Sequence, residues 1–131
     1  MLAMAEPPWH LQETYRGLVT LSTDALKALA LVNGGAAVAL LTYLGHGTTP
    51  SHANVLFLIA LGCWCLGLLL TTLAFIVAYV TQLRLFQEER DRVAGRAFSI
   101  EHPTGIKAGI VCATLAAVLF GFGCLFAALG L

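Results

Sequence analysis

The sequence predicts an all-α integral membrane protein with three transmembrane helices, and three observations carry that expectation. Long apolar runs occupy about residues 25–45, 54–81 and 106–131. No Asp, Glu, Lys or Arg lies between Lys27 and Arg84, and none from Ala108 to Leu131. Each run meets the ~20 residues a helix needs to cross a hydrocarbon core about 30 Å thick. Apolar residues make up 59% of the chain and charged ones 11%, against about 25% charged in ordinary soluble domains, so the usual water-facing surface is missing. Three spans consume most of the 131 residues, which predicts one domain over 1–131. A net charge of zero leaves no basic footprint for nucleic acid.

The opening stretch MLAMAEPPWHLQE lacks a basic n-region and an early apolar core, so the first span reads as a retained signal anchor. Pro7 and Pro8 mark the start of the first helix. Glu13, Arg16, Thr20, Asp24 and Lys27 recur at intervals of three and four, one polar stripe at helical period. Leu11, Tyr15, Leu18, Leu21, Ser22 and Ala25 fall largely on the other side. Residues 9–26 therefore read as an amphipathic extension running into the span, with Asp24 and Lys27 as a favourable i,i+3 pair.

The second helix begins near Ser51, an N-cap after Pro50, and continues past its apolar part into QLRLFQEERDRVAG. Arg84–Glu88 and Glu88–Arg92 are i,i+4 pairs of opposite charge, and Gly95 is a stop signal. Pro103 suits the first turn of the third helix, where its missing N–H costs nothing. The first connection, GHGTTPSHAN, has no Lys or Arg, whereas the second segment holds Arg84, Arg90, Arg92 and Arg96. Positive charge stays inside, which predicts an N-in, C-out topology with cytoplasmic extensions at about 9–26 and 82–104. The Leu/Ala/Gly-rich composition points to a bacterial inner membrane.

Lipid gives helices no hydrophobic reason to associate, so small residues mark the packing faces. On the first span these are Asn33, Gly34 and Gly35 with Ala30, Ala36 and Ala37. The second offers Ala60, Cys63, Gly67, Thr71, Ala74, Ala78 and Thr81. The third offers Gly105, Gly109, Ala113, Ala117 and Gly121, every fourth residue, with Ala116, Gly123, Ala127, Ala128 and Gly130 off that stripe. These faces pack the three helices together, or at least one of them contacts another chain, a homo-oligomer or a larger membrane-protein partner.

Asn33 is the most polar residue deep in a span, and an unpaired amide in hydrocarbon is costly. It is expected to bond a carbonyl or Thr hydroxyl on a neighbouring helix, with lining a pore as the alternative; Gly34 and Gly35 also admit a helix distortion there. Cys63, Cys65, Cys112 and Cys124 lie in spans as small apolar side chains with no disulfide framework. His46, His52 and His102 read as wetted loop or interface residues, and Trp64 as a mid-span packing aromatic. Trp9, Tyr15, Tyr43, Tyr79, Phe86 and Phe98 are placed as interface anchors.

No acid or base sits mid-span, as transport or proton relay requires, and no catalytic or metal constellation is visible. The layout is similar to the membrane anchors of succinate dehydrogenase, but their haem histidine and Ser/Arg quinone motif have no counterpart here, so no cofactor is expected. The run ALKALALVNGGAAVALLTYLGH at 25–46, preceded by ETYRGLVTLST at 13–23, resembles the opening of a group of small three-span proteins of proteobacteria and their mobile elements. That resemblance implies a packing role for Asn33, Gly34 and Gly35 and no activity. The expected function is non-enzymatic: an accessory subunit or self-associating scaffold in the lipid bilayer, docking through Glu13, Arg16, Asp24, Arg84, Glu88, Arg92 and Arg96. The alternative is a pore-forming effector, holin-like or of a defence system.

Overall fold

Backbone amides in an apolar medium must be satisfied within their own segment, and this chain does so with helices alone among its described residues. The computed structural model describes residues 9–46, 51–95 and 103–131. They form α1 (Trp9–His46), α2 (Ser51–Val93) and α3 (Pro103–Gly130), of 38, 43 and 28 residues. At ~1.5 Å per residue these are about 57, 65 and 42 Å long. All three are long and apolar enough to cross a membrane. Hydroxyls follow the same rule. Ser22, Thr23, Thr42, Thr71, Thr72, Thr81 and Thr114 each donate to the carbonyl four residues back, at 2.7–3.0 Å.

Gly34 and Gly35 do not distort α1, which passes through them unbroken. α2 ends in a short turn at Ala94 and Gly95, where Gly95 takes φ +69° and donates its N–H to the Arg92 carbonyl at 3.2 Å. That left-handed conformation favours glycine, and it stops the helix where the sequence signals. Pro103 opens α3 as expected.

The helices run antiparallel in sequence order, and two register rules describe them. Between α1 and α2, Asn33 meets Gly67 and Tyr43 meets Phe57, pairs whose numbers both add to 100. Between α2 and α3, Thr81 meets Gly105, Val77 meets Gly109, Trp64 meets Gly123 and Phe57 meets Gly130, pairs that add to 186 or 187. The α2–α3 contact is the extensive one; α1 leans on α2 and touches α3 little. By these registers Pro103 is level with Leu83, so α2 from 84 onward and α1 up to 16 project beyond α3.

Each helix turns one line of residues inward. On α1 it is Val19, Thr23, Leu26, Ala30, Asn33, Ala37, Leu40 and Leu44, all buried or half-buried. On α2 it is Phe57, Ala60, Trp64, Gly67, Thr71, Ala74, Ala78, Thr81, Leu85 and Glu88. On α3 it is Gly105, Gly109, Cys112, Ala116, Leu119, Gly123, Phe126 and Gly130. Every line alternates steps of three and four, a period of about 3.5 residues, the spacing of left-handed coiled-coil packing.

Within one chain, that period follows only part of the third-helix stripe. Steps of four overshoot a turn by about 40° each, so sixteen residues on from Gly105 the line has swung about 160°. Gly105, Gly109 and Ala113 are half-buried toward the bundle, but Ala117 and Gly121 are exposed. Ala116, Gly123 and Gly130 take the inward places instead. Opposite Gly123 and Gly130 stand two large aromatics of α2. Trp64 and Phe57 lie where Cβ atoms on Gly123 and Gly130 would be, and Trp64 donates its Nε1–H to the Phe120 carbonyl at 3.3 Å. Around these two aromatics gather Ala37, Leu40 and Ala60, with Leu44, Leu61, Phe120, Phe126 and Ala127 at the margin.

Gly123→Ala is expected to destabilise the bundle by about 1–3 kcal/mol, because the new methyl overlaps a buried indole that has no free side to move to. Gly121→Ala, two residues away and exposed with nothing within 4 Å, should be neutral or stabilising. Denaturant titration in micelles, followed by Trp64 fluorescence, separates the two.

Candidate functional site

The most unusual chemistry in the bundle is where a side chain of α1 enters between the backbones of α2 and α3. Asn33 on α1 and Thr71 on α2 are its fully buried polar side chains. Gly67, one turn from Thr71, leaves the space that the Asn33 carboxamide fills. A Cβ there would overlap Asn33 Oδ1, would lie 2.9 Å from Asn33 Cγ, and would stand 3.3 Å from the Ala116 carbonyl oxygen of α3. Ala116 is itself fully buried.

The Asn33 hydrogen bond corrects the sequence expectation. Its Nδ2 donates to the Leu29 carbonyl of its own helix at 2.9 Å rather than to a neighbouring helix. Thr71, the nearest hydroxyl along α2, is already committed to the Gly67 carbonyl at 2.8 Å. Asn33 Oδ1 is left buried without a hydrogen-bond partner. The side of Gly67 it faces carries only a Cα–H, a weak donor worth at most about 1 kcal/mol. An unmet buried acceptor costs about 1–3 kcal/mol, so the junction is tightly packed and under-bonded together.

The remaining predicted residues divide by helix. Ala60 and Ala74 are buried on the same face of α2, each two turns from Gly67. Gly34 is half-buried and Gly35 exposed, and an added Cβ on either meets nothing within 4 Å. Gly17 and Gly45 are equally open, so no glycine of α1 receives a side chain from the other described residues. On α2 and α3 the opposite holds at Gly67, Gly105, Gly109, Gly123 and Gly130.

Charge is segregated to one end. The start of α1, the end of α2 and the start of α3 lie together, and the described charged residues from Glu13 to Lys27, from Arg84 to Arg92, and Lys107 are all there. Arg16, Asp24, Arg84 and Arg92 are exposed and Glu88 is half-buried. Asp24 and Lys27 pair at 3.2 Å on the outside of α1. Arg96 and His102 fall outside the described residues. At the opposite end His46, in the tautomer protonated at Nδ1, donates to the Thr42 carbonyl at 2.7 Å. Cys63 and Cys112 are half-buried, Cys65 and Cys124 exposed, and all four are free. Among the described residues no three metal-ligating side chains converge.

Ala116, Gly123 and Gly130 were visible as small residues, but only the alternation of three and four along α3 identifies them as the contact line. Phe57 carries no signal of its own; it is one of many apolar residues until its glycine partner is known. Comparison with family models, curated proteins and solved structures finds no match, so the geometry of this chain carries the functional argument.

Gly67→Ala is expected to cost about 1–3 kcal/mol, because the Asn33 amide must leave its place. Asn33→Ala in that background should recover part of the loss. A double-mutant cycle on unfolding in micelles should then give a coupling of at least about 0.5 kcal/mol, whereas strict additivity would separate the two residues.

Proposed function

We propose that this chain is a non-enzymatic bacterial inner-membrane protein that works by assembly, as an accessory subunit or self-associating scaffold. The observation that carries the reading is the contrast between its two parts. An apolar three-helix bundle, with large side chains such as Leu31, Leu58, Leu69, Ile76, Ile110 and Phe122 turned outward, suits lipid. Beyond α3 it continues as two charged helix ends that expose Arg16 and Arg84.

Six of the seven Lys and Arg residues of the sequence are described, and all six lie toward the charged end. The positive-inside rule puts that end in the cytoplasm, with both chain-order connections placed accordingly and Leu131 outside. The extensions of α1 and α2 are then a cytoplasmic docking surface. Asn33 argues against a pore lined by this residue, since it is fully buried against Gly67 within one chain.

Native-state sizing of the tagged chain from membranes in mild detergent should give a particle well above one 13.9 kDa chain. Induction should leave the membrane potential unchanged, and a periplasm-dependent reporter fused after Leu131 should be active. A single-chain particle, or collapse of the potential on induction, would replace assembly with another mode of action.

A further inference from the structure

The apolar stretches of the three helices are flush at one end of the bundle and out of step at the other. Away from the charged end, the two registers set Gly45 level with Val55, and Leu131 level with Val55 and Leu56. Followed from there, the first charge on α1 is Lys27, level with Leu73, but the first on α3 is Lys107, level with Tyr79 and Val80. The step between them is nearly two turns, about 10 Å. At ~1.5 Å per residue the charge-free stretch 28–46 of α1 is about 28 Å long, and 108–130 of α3 is about 35 Å.

The outward side chains follow the same step. In the band between those two levels α2 and α3 expose hydrocarbon, with Ile76 on one and Ile110 and Val111 on the other. Over the same band α1 exposes Thr20, Ser22, Asp24 and Lys27, interrupted by Leu21 and Ala25. Asp24 and Lys27 pair at 3.2 Å, each with 62% of its side chain exposed, a state that suits water and headgroups. One flat edge of the hydrocarbon cannot serve both flanks. Set at Lys27, it leaves Ile76 and Ile110 among headgroups; set at Lys107, it puts a carboxylate and an ammonium in the apolar core. Tilting the bundle moves both ends of α1 the same way, so it shares the step between the two faces of the membrane without removing it.

We propose that the lipid-facing surface is a wedge that fits a stepped bilayer, thinner beside α1 than beside the α2–α3 hairpin. The partner is phospholipid. On the charged side its headgroups descend beside α1 to the level of Asp24 and Lys27, while its acyl chains reach Ile76 and Ile110 on the hairpin flank. Bilayers meet a mismatched surface by local thinning or thickening, so the deformation falls in one leaflet and on one flank. A chain of this shape gathers short-chain lipid on its α1 side and favours places where membrane thickness changes. The inference rests on the three-span membrane reading and is independent of assembly.

The test reads depth at two exposed positions on one level of the protein. A genetically encoded nitroxide side chain replaces Ala25 or Val111 in the full chain, reconstituted in phosphatidylcholine vesicles, and its collisions with oxygen and with a water-soluble nickel chelate are compared. The nickel-to-oxygen ratio should be higher at position 25 than at position 111 by at least about threefold, because water and headgroups meet one and acyl chains the other. Labels at Leu41 and Ala128, level with each other toward the flush end, should differ little, whereas a tilted bundle in a flat bilayer would separate that pair as well. Asp24→Leu combined with Lys27→Leu should bring the ratio at position 25 down to that at position 111. Equal ratios in the wild-type chain, protection of position 25 from both reagents, a tilt signature at the flush end, or a difference that survives the double substitution would overturn the wedge. A label at Leu69, exposed in mid-span, keeps the two readings apart: oxygen-rich there, it leaves the membrane reading standing when the wedge fails, and nickel-accessible there, it removes both.

Discussion

The distance between α2 and α3 is the constraint on which the rest of the bundle depends. In lipid, moving a leucine from solvent to a helix contact gains little, so association rests on dispersion and on how closely backbones approach. Here large side chains on one helix meet glycines on the other, Phe57 and Trp64 at one end and Thr81 and Val77 toward the other. The bulk is concentrated on α2 and the vacancies on α3. This one-sided arrangement makes the pair self-selecting, because among the described residues no other helix presents glycines at that spacing to α2.

α1 is held differently. It enters the core through Ala37 and Leu40 beside the aromatics and through Asn33 at the junction, and has little contact with α3. Its amide bonds α1 itself, so it locates the helix by shape at Gly67 rather than by a cross-helix hydrogen bond. The same asymmetry places any early loss of structure at α1, with the α2–α3 hairpin as the durable unit.

Helix number, helix ends and the polar asymmetry were legible because they are written in hydropathy, charge and backbone signals. Lys27 and Arg84 bound a charge-free stretch, and Gly95 and Pro103 act through local conformation that needs no partner. The inward faces were only half legible. On α2 the small residues already alternate in steps of three and four, and Ala60, Gly67 and Ala74 are found buried. On α3 small residues occur on several sides, and the regular spacing of Gly105 through Gly121 was the more conspicuous, but within one chain the inward line leaves it after Gly109. Hydropathy gives no help there, since residues toward lipid and residues toward the core are equally apolar; only size distinguishes them. The Asn33 partner was illegible for a related reason. Whether a carboxamide bonds forward to a neighbour or back to its own turn depends on the space opposite, and the space is Gly67.

The uniform period of the three inward lines ties this molecule's architecture to its length in a particular way. Adding one residue to α2 between Trp64 and Gly67 would rotate everything beyond it by about a quarter turn, carrying Thr71 and Ala74 out to the lipid and leaving the aromatics on the old side. Insertions of seven alone keep both segments in phase, each adding ~10 Å of span at ~1.5 Å per residue. Because α1 and α3 share the repeat, all three would have to grow together. A bundle of this kind adapts to a thicker bilayer in whole-heptad quanta, and between those quanta it must tilt.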